Sequence, residues 1–394
     1  MFSAPQWICN RVKLLKMVLI KKTPDTGEKL KILSRDSQYD LACACATRND
    51  EHRRRSKDGK WIYPVLMPGG GTTFLFKTLL SNDCVNDCKY CPLRAGSPAA
   101  RCSLTPEETA RIFFSYYRSG KVSGLFLSSA VNGSPDASME KINRVALLLR
   151  RERFRGYIHL KIIPGASENA IRRSLSLASA VSLNIETAGE DNFRYFGAGK
   201  DYLNDIIKPL RLIGGLRSGD FRGRGIKQTT QFVVGASKET DAEIIGCSYG
   251  LYKTMGLSRV YFSAYQRGEG DSSLPGENSS FSNSEILTRE HRLYQADWLI
   301  RKYGFSAEEI PLDAGNNLFL DADPKEVWAR RHPEFFPVNA NKDPQARLLR
   351  VPGLGQVTVE RIMALRQSGI RLRSLENLQK RSRILKEAEK YLVF

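Results

Sequence analysis

No apolar run in this 394-residue chain approaches the ~18 residues that a membrane-spanning helix needs. A membrane partner is therefore not expected. The nearest candidate, Leu14–Ile20, is broken by Lys16, followed by Lys21 and Lys22, and lacks a small-residue cleavage site, so it makes a poor signal peptide. Met17 stands inside it as a second candidate start. No self-similarity with a period of about 20–50 residues is present, which excludes a solenoid. Negative charge is also scarce: 42 Asp and Glu face 61 Lys and Arg, a net charge of +19. Such a surface favours polyanions, nucleic acid first; the plainer reading is a soluble basic surface. The eight cysteines do not have the spacing of a disulfide framework, because Cys84, Cys88 and Cys91 crowd together, which suits metal ligation better. With 41% hydrophobic and 26% charged residues, the chain has the makings of an ordinary soluble core. Cytoplasm is the expected compartment, since a labile metal centre needs reducing surroundings.

The chain divides by composition. Residues 1–28 read as a leader and 29–72 as an N-terminal extension, in which 48–60 is polar and basic and Pro68 to Gly71 is turn-like. From Thr73 short β-rich runs recur at 73–80, 124–129, 157–163, 181–186, 229–235 and 259–265. Helical segments lie between them. Thr105-Pro-Glu-Glu108 is a capping-box start, and Met139–Arg151, Asp201–Leu212, Thr240–Met255 and Ser284–Lys302 read as the others. Strands alternating with helices predict a parallel sheet with right-handed crossovers. Six such units over 73–336 fit a partial (β/α)6 TIM-like barrel, with its chemistry at the C-terminal ends of the strands. From Pro337 to the end the sequence is helical and punctuated by glycine, and from 341 onward twelve Lys and Arg face five Asp and Glu, a net of +7. This part is expected to be a small all-α domain.

Cys84-Val-Asn-Asp-Cys88-Lys-Tyr-Cys91 directly follows the first of these strands. Three thiolates on one loop can bind three irons of a cubane cluster and leave the fourth open. The competing reading is a zinc knuckle; Cys102 is a possible fourth ligand, but no second CxxC pair is present. The C-x3-C-x2-C spacing, with aromatic Tyr90 before the last cysteine, resembles the radical S-adenosylmethionine (SAM) family. The resemblance implies a 4Fe–4S cluster on Cys84, Cys88 and Cys91. There the amino and carboxylate groups of SAM chelate the open iron, and one electron cleaves the sulfonium to give a 5′-deoxyadenosyl radical. It also implies SAM contacts from Ser128 and Ser129 at the turn that receives the amino group, from Asn184 and Glu186 at the ribose, and from Gly235 and Ser237 beside adenine. Ordinary strand-end polarity is the alternative for each.

A closer resemblance runs over residues 28–394. KLKILSRDSQYDLAC, GLFLSS, GYIHLKIIPGAS, SLNIE, RVYFSAY, REHRLYQADWL, WARRHPEFFPV and LLRVPGLG are similar to the DNA modification/repair radical SAM proteins. These pair a radical SAM partial barrel with a C-terminal helix–hairpin–helix and are often encoded beside a uracil-DNA-glycosylase-like protein. The resemblance implies radical chemistry on DNA, an electron donor such as flavodoxin or ferredoxin, and contact with double-stranded DNA. Ala130 stands where the family usually has Gly, and the second hairpin, 378–383, has lost its Gly. The first hairpin, Val351-Pro-Gly-Leu-Gly355, keeps two glycines that let the backbone approach a phosphate closely. Gly353, Gly355, Gln356, Thr358 and Arg361 are its candidate contacts; a simple helix-cap glycine pair is the alternative. The same chemistry on RNA, or a cluster-bearing redox sensor that binds DNA, are the other functional readings. A sensor would make no 5′-deoxyadenosine.

His159 and Lys161 share one strand face and are candidates to meet a substrate phosphate or base. Arg289, His291, Arg292, Tyr294 and Gln295 are expected to pack the two domains together or to line a groove. Cys43 and Cys45 are candidates for an auxiliary cluster or a hydrogen donor, while Cys9, Cys102 and Cys247 read as incidental.

Overall fold

The computed structural model describes residues 24–39, 61–67, 70–219, 225–378 and 383–394. Cys9, Cys43, Cys45, the basic stretch 48–60 and most of the second hairpin fall outside them. The first helix, α1 (Thr26–Asp36), opens with a reciprocal capping box between Asp25 and Glu28 and buries Leu30 and Leu33. Its first turn thus includes the last residues of the expected leader.

Seven strands form one sheet in sequence order. β1 (Ile62–Leu66) pairs antiparallel with β2 (Thr72–Leu79). From β2 onward every pairing is parallel, through β3 (Gly124–Ser128), β4 (Tyr157–Lys161), β5 (Ala180–Ser182), β6 (Lys227–Val234) and β7 (Arg259–Ala264). These six parallel strands match the six β-rich runs to within a few residues at each end. β1 was not expected. Its Pro64 argues against an interior strand, but β1 is an edge strand, where a missing N–H does no harm.

Each crossover carries a helix: α2 (Pro106–Arg118), α3 (Pro135–Arg151), α4 (Glu168–Leu177), the single turn α5 (Glu190–Phe193) with α6 (Lys208–Gly219), and α7 (Asp241–Met255). The expected helix at 201–212 starts as a π-helical turn over Tyr202–Ile207 and continues as α6. α8 (Asn283–Tyr303) covers the last strand, with its Tyr294 hydroxyl bonded to both the N–H and the carbonyl of Phe262. Leu125 and Leu127 of β3 and Ile158 and Leu160 of β4 are fully buried beneath the helices. The residues that alternate with them, such as Phe126 and its register partner His159, lie on the opposite, concave face. The result is an open partial β/α barrel with one added antiparallel strand.

After α9 (Pro324–Arg331) a second, smaller core begins at Val338 and includes Leu348, Val351, Leu354, Val359 and Ile362. It is built from α10 (Gln345–Leu348), α11 (Gln356–Gln367) and α12 (Arg383–Glu389). It is not purely helical. β8 (Val338–Asn339) pairs in parallel with β9 (Leu392–Val393), which ties the chain end to the domain's start. Among the described residues no helix is long and apolar enough to cross a membrane.

Candidate functional site

Six strands end at one cleft with about 1150 Å³ of empty space, and residues from the ends of all six border it. Leu79, Ser128, Lys161, Asn184, Gln231, Val233 and Ser263 come from β2 to β7 or the residue or two beyond, so the sheet must curl around this space. Cys84, Cys88 and Cys91 border the same cleft.

The cysteine loop is held by its backbone, which leaves the thiols to their own task. Val85 N–H donates to Val131 O at 2.9 Å, Lys89 N–H to Phe196 O at 2.9 Å and Cys91 N–H to Cys88 O at 2.8 Å. Tyr90 packs edge-on against Phe196, with ring centroids 4.9 Å apart. Asp87 accepts from the N–H groups of Ala198 and Gly199 at 3.3 and 3.1 Å. A Cβ at Gly197 or Gly199 would stand 2.9 or 2.7 Å from Asp87 Oδ1, so only glycine allows this segment so close. That close strap delivers Lys200 to the cleft.

Lys200 was not foreseen; the Gly197-Ala-Gly-Lys200 run was its only trace in the sequence. Its ammonium lies 4.0 Å from Glu186 Oε1 and hydrogen-bonds the Cys88 sulfur. Removal from water raises the Cys88 thiol above its ordinary value, opposed by Lys200, and pushes Cys91 up to about 12. Burial thus favours the protonated form of Cys88 and Cys91, which a metal must displace on binding. Among the described residues no three His, Cys, Asp or Glu side chains converge on a single metal ion. A zinc ion would draw its thiolates to about 2.3 Å, whereas a cubane spreads three thiolates over three corners. The donor set fits the cubane.

Glu186 has a φ of +68°, a left-handed conformation that costs a non-glycine residue about 1 kcal/mol or more. Its backbone is pinned from both sides by β6: Glu186 N–H donates to Gln231 O at 3.0 Å, and Val233 N–H donates to Glu186 O at 2.7 Å. The strain aims the carboxylate into the cleft, where it also receives the Tyr90 hydroxyl. Asn184 Nδ2 donates to Glu186 Oε2 at 3.3 Å, while Asn184 Oδ1 is buried with no hydrogen-bond partner. An orphaned acceptor bordering a cleft is the mark of an absent donor.

Ser128, Ser129 and Ala130 border the cleft as well. Ser128 O accepts from Leu80 N–H at 2.8 Å, and the Ser129 hydroxyl donates to Ala130 O at 2.8 Å. Gly235 and Ser237 are not among the bordering residues. Gly235 N–H donates to Glu239 Oε1 at 3.0 Å, and Ser237 Oγ meets Thr187 Oγ1 at 3.0 Å, in a buried knot behind the end of β6. Arg289 belongs to this knot, paired with Asp241 at 2.7 Å, so it packs α8 onto the barrel. Arg292 does similar work, donating to Leu320 O at 3.0 Å. His291, Tyr294 and Gln295 border a second cleft, between α8 and the first hairpin.

At that hairpin Gly355 is the N-cap of α11 and makes no side-chain cap bond. The N–H of Gln356 is given to the Tyr303 hydroxyl, and the Gln356 side chain reaches Glu360 at 2.9 Å. Thr358 is half-buried, and Arg361 is exposed. The turn therefore offers fewer free donors than two glycines alone suggest.

No protein-family model matches the chain, and no curated protein matches it in sequence. The chain is similar in structure to the FeFe-hydrogenase maturase HydG from Carboxydothermus hydrogenoformans, with a TM-score of 0.44 and 16% identity over 57% of this chain and 50% of HydG. It is similar to the radical S-adenosylmethionine methyltransferase TsrM from Kitasatospora setae, solved with cobalamin and a [4Fe-4S] cluster, with a TM-score of 0.39 and 13% identity over 81% of this chain and 61% of TsrM. SuiB from Streptococcus suis gives a TM-score of 0.42 and 12% identity over 59% of this chain and 48% of SuiB. The chain thus spans less than two thirds of each.

Proposed function

We propose that this chain is a radical SAM enzyme that acts on nucleic acid, with DNA modification or repair ahead of RNA. The observation that supports it most is the meeting of three cysteine thiols, a pinned carboxylate and an orphaned amide oxygen in one cleft at the C-terminal ends of a partial barrel. Cys84, Cys88 and Cys91 hold three irons of a 4Fe–4S cluster. When bound, the cluster and SAM together supply a carbon-centred radical by one-electron cleavage of the sulfonium. Asn184 Oδ1 and the Glu186 carboxylate accept from the ribose hydroxyls. The Lys200 ammonium, beside Cys88, offers a positive partner to the SAM carboxylate. Ser128 and Ser129 border the amino end, and Gly235 and Ser237 support the strand end from behind through the knot around Glu239.

The nucleic-acid reading rests on the net charge of +19 and on the glycine hairpin with its exposed Arg361. A flavodoxin or ferredoxin is the proposed electron donor, a uracil-DNA-glycosylase-like protein a proposed companion, and the cytoplasm the proposed site of work.

The test is anaerobic reconstitution with iron and sulfide, then reduction with SAM and assay for 5′-deoxyadenosine, with DNA, with RNA and with neither. Cys84→Ala, Cys88→Ala and Cys91→Ala are each expected to lose the cluster's visible absorbance and SAM cleavage. Cys102→Ala is expected to keep both, because its sulfur sits 4.0 Å from Lys29 O beneath α1. Full SAM cleavage in any of the three loop variants would sink the assignment. An intact cluster that makes no 5′-deoxyadenosine would point to a sensor instead.

A further inference from the structure

Three contacts fix the direction of α8. Glu290 accepts from Ala264 N–H, the Tyr294 hydroxyl is bonded to Phe262, and Arg259 stands 3.9 Å from Asp297. As the numbers rise along α8 they fall along β7, so the helix runs away from the cysteine cleft toward the N-terminal ends of the strands. Trp298, the next residue, therefore lies at the opposite pole of the barrel. It is about 18 Å along the helix axis from Ile286, which packs against Gly235 at the end of β6.

The second cleft, with about 1200 Å³ of empty space, opens at this pole. Tyr294, Trp298 and Tyr303 border it from α8, and the backbone of Gly353 to Gly355 with Ile384 borders it from the small domain. Trp298 is 39% exposed and Ile384 63%. An exposed apolar residue standing alone needs no explanation, but two on one cleft form a patch. The indole is held in place. Its N–H donates to the Tyr303 hydroxyl, which also receives the N–H of Gln356, so the ring is tied to the hairpin itself. The Arg301 guanidinium lies over the ring, 5.6 Å from its centroid.

The charges around the cleft favour an anion. Arg301 donates twice to Asp297, at 2.9 and 2.8 Å, and Arg259 shares the same buried carboxylate. Two guanidinium groups on one carboxylate leave a positive balance beside the rings. Glu326 is paired with Arg330 at 3.6 Å, and Asp323 caps α9 by accepting from Lys325 N–H at 2.8 Å. Lys302 adds an exposed cation in the last turn of α8. Aromatic rings among cations, beside a glycine backbone, suit a stacked base and its phosphate better than an apolar protein face.

We propose that this second cleft is a stacking site for an unpaired base of a single-stranded nucleic acid, with Trp298 as the platform on its face away from Arg301. The adjoining phosphate lies along the hairpin backbone. The site rests on the nucleic-acid reading and narrows its substrate class to a nucleic acid with unpaired nucleotides. Because the cysteine cleft is at the other pole, such a strand is held at one end of the barrel and altered at the other.

The experiment titrates the reconstituted full-length protein with a single-stranded deoxyoligonucleotide, following both binding and tryptophan fluorescence. The parent is expected to bind and to lose fluorescence as a base stacks on the indole. Trp298→Ala is expected to bind at least about fivefold more weakly, the loss of one base stacked on an aromatic ring. Trp298→Phe is expected to stay within about threefold of the parent and to show no quench. An abasic strand of the same length keeps every phosphate and is expected to bind the parent at least about fivefold more weakly, without a quench. Binding by the parent with unchanged fluorescence overturns the proposal. So does Trp298→Ala binding as tightly as the parent, or the abasic strand binding as tightly as the normal one. Each of these outcomes leaves the nucleic-acid reading standing, whereas a parent that binds neither DNA nor RNA defeats that reading and the stacking site with it. Cluster absorbance reports folding of each variant, and the abasic strand decides on the parent alone if Trp298→Ala fails to fold.

Discussion

Gly353 shows how one residue can serve two demands. Its φ is +80°, and a Cβ there would stand 2.7 Å from Ile384 O and 3.1 Å from Ala388 Cβ. The open space that a sequence reading reserves for a phosphate is therefore also used by α12. Gly355 differs, because its φ is −96° and a Cβ would meet Tyr303 Oη at 3.6 Å, an ordinary contact. Gly353→Val is expected to lower stability by about 2 kcal/mol or more through backbone strain and the clash with Ile384, whereas Gly355→Ala is expected to cost under about 1 kcal/mol. Denaturant unfolding of the two variants checks this, and equal midpoints would show that α12 yields at no cost. The cleft has its own gap between sequence and structure. The three cysteines were legible because their spacing is local. Lys200 was not, because its placement depends on Asp87 reaching across the fold to Ala198 and Gly199.

Elements were legible where a local signal fixed them. Thr105, Thr240 and Ser282 each head a capping box, and the β-branched and aromatic runs marked six strands. β1 was hidden because only its edge position makes Pro64 acceptable, and an edge is a property of the whole sheet. α9 shows a packing consequence that sequence cannot give. Its Lys325 is 6% exposed and donates to Leu354 O at 2.7 Å, so the barrel side grips the hairpin backbone directly. Burial pushes the Lys325 ammonium down from 10.5 to about 7, while Asp323 pulls it back up. The Tyr303 ring, 4.5 Å away, also favours the charged form. With the folded value depressed, the unfolded chain binds the proton and the native one does not between the two values. Stability then rises with pH across that window, by at most about 1.4 kcal/mol per unit, and the gain is absent below it. Thermal melts of the parent and Lys325→Met at about pH 6.5 and about pH 9 isolate the effect, because the other titrations cancel in the difference. The parent should gain on the variant as pH rises; a flat difference would mean that the ring and carbonyl hold the ammonium fully charged.

At the scale of the whole molecule, charge and chemistry occupy different places. The cysteine loop lies at the strand ends of the barrel, and a separate small core carries the exposed Arg361 on α11. Under the proposed function, this division would set affinity for a polyanion away from the reacting centre. The net charge of +19 fits the polyanion proposed as partner but does not say where on the surface it would rest, since net charge has no address. A phosphate contact made by one arginine releases about one counterion's worth of binding free energy. Arg361→Ala is therefore expected to reduce the slope of log K against log salt by about 0.9 on duplex DNA, equally for all sequences, because backbone contacts carry no base information. The substitution removes an exposed side chain, so the thermal melt should not move. Gly353→Val cannot serve this purpose, since any loss of binding would be mixed with the loss of α12 packing. The measurement is a salt titration of duplex binding for the parent and Arg361→Ala. An unchanged slope would remove α11 from the interface and leave the polyanion to the basic faces of the barrel.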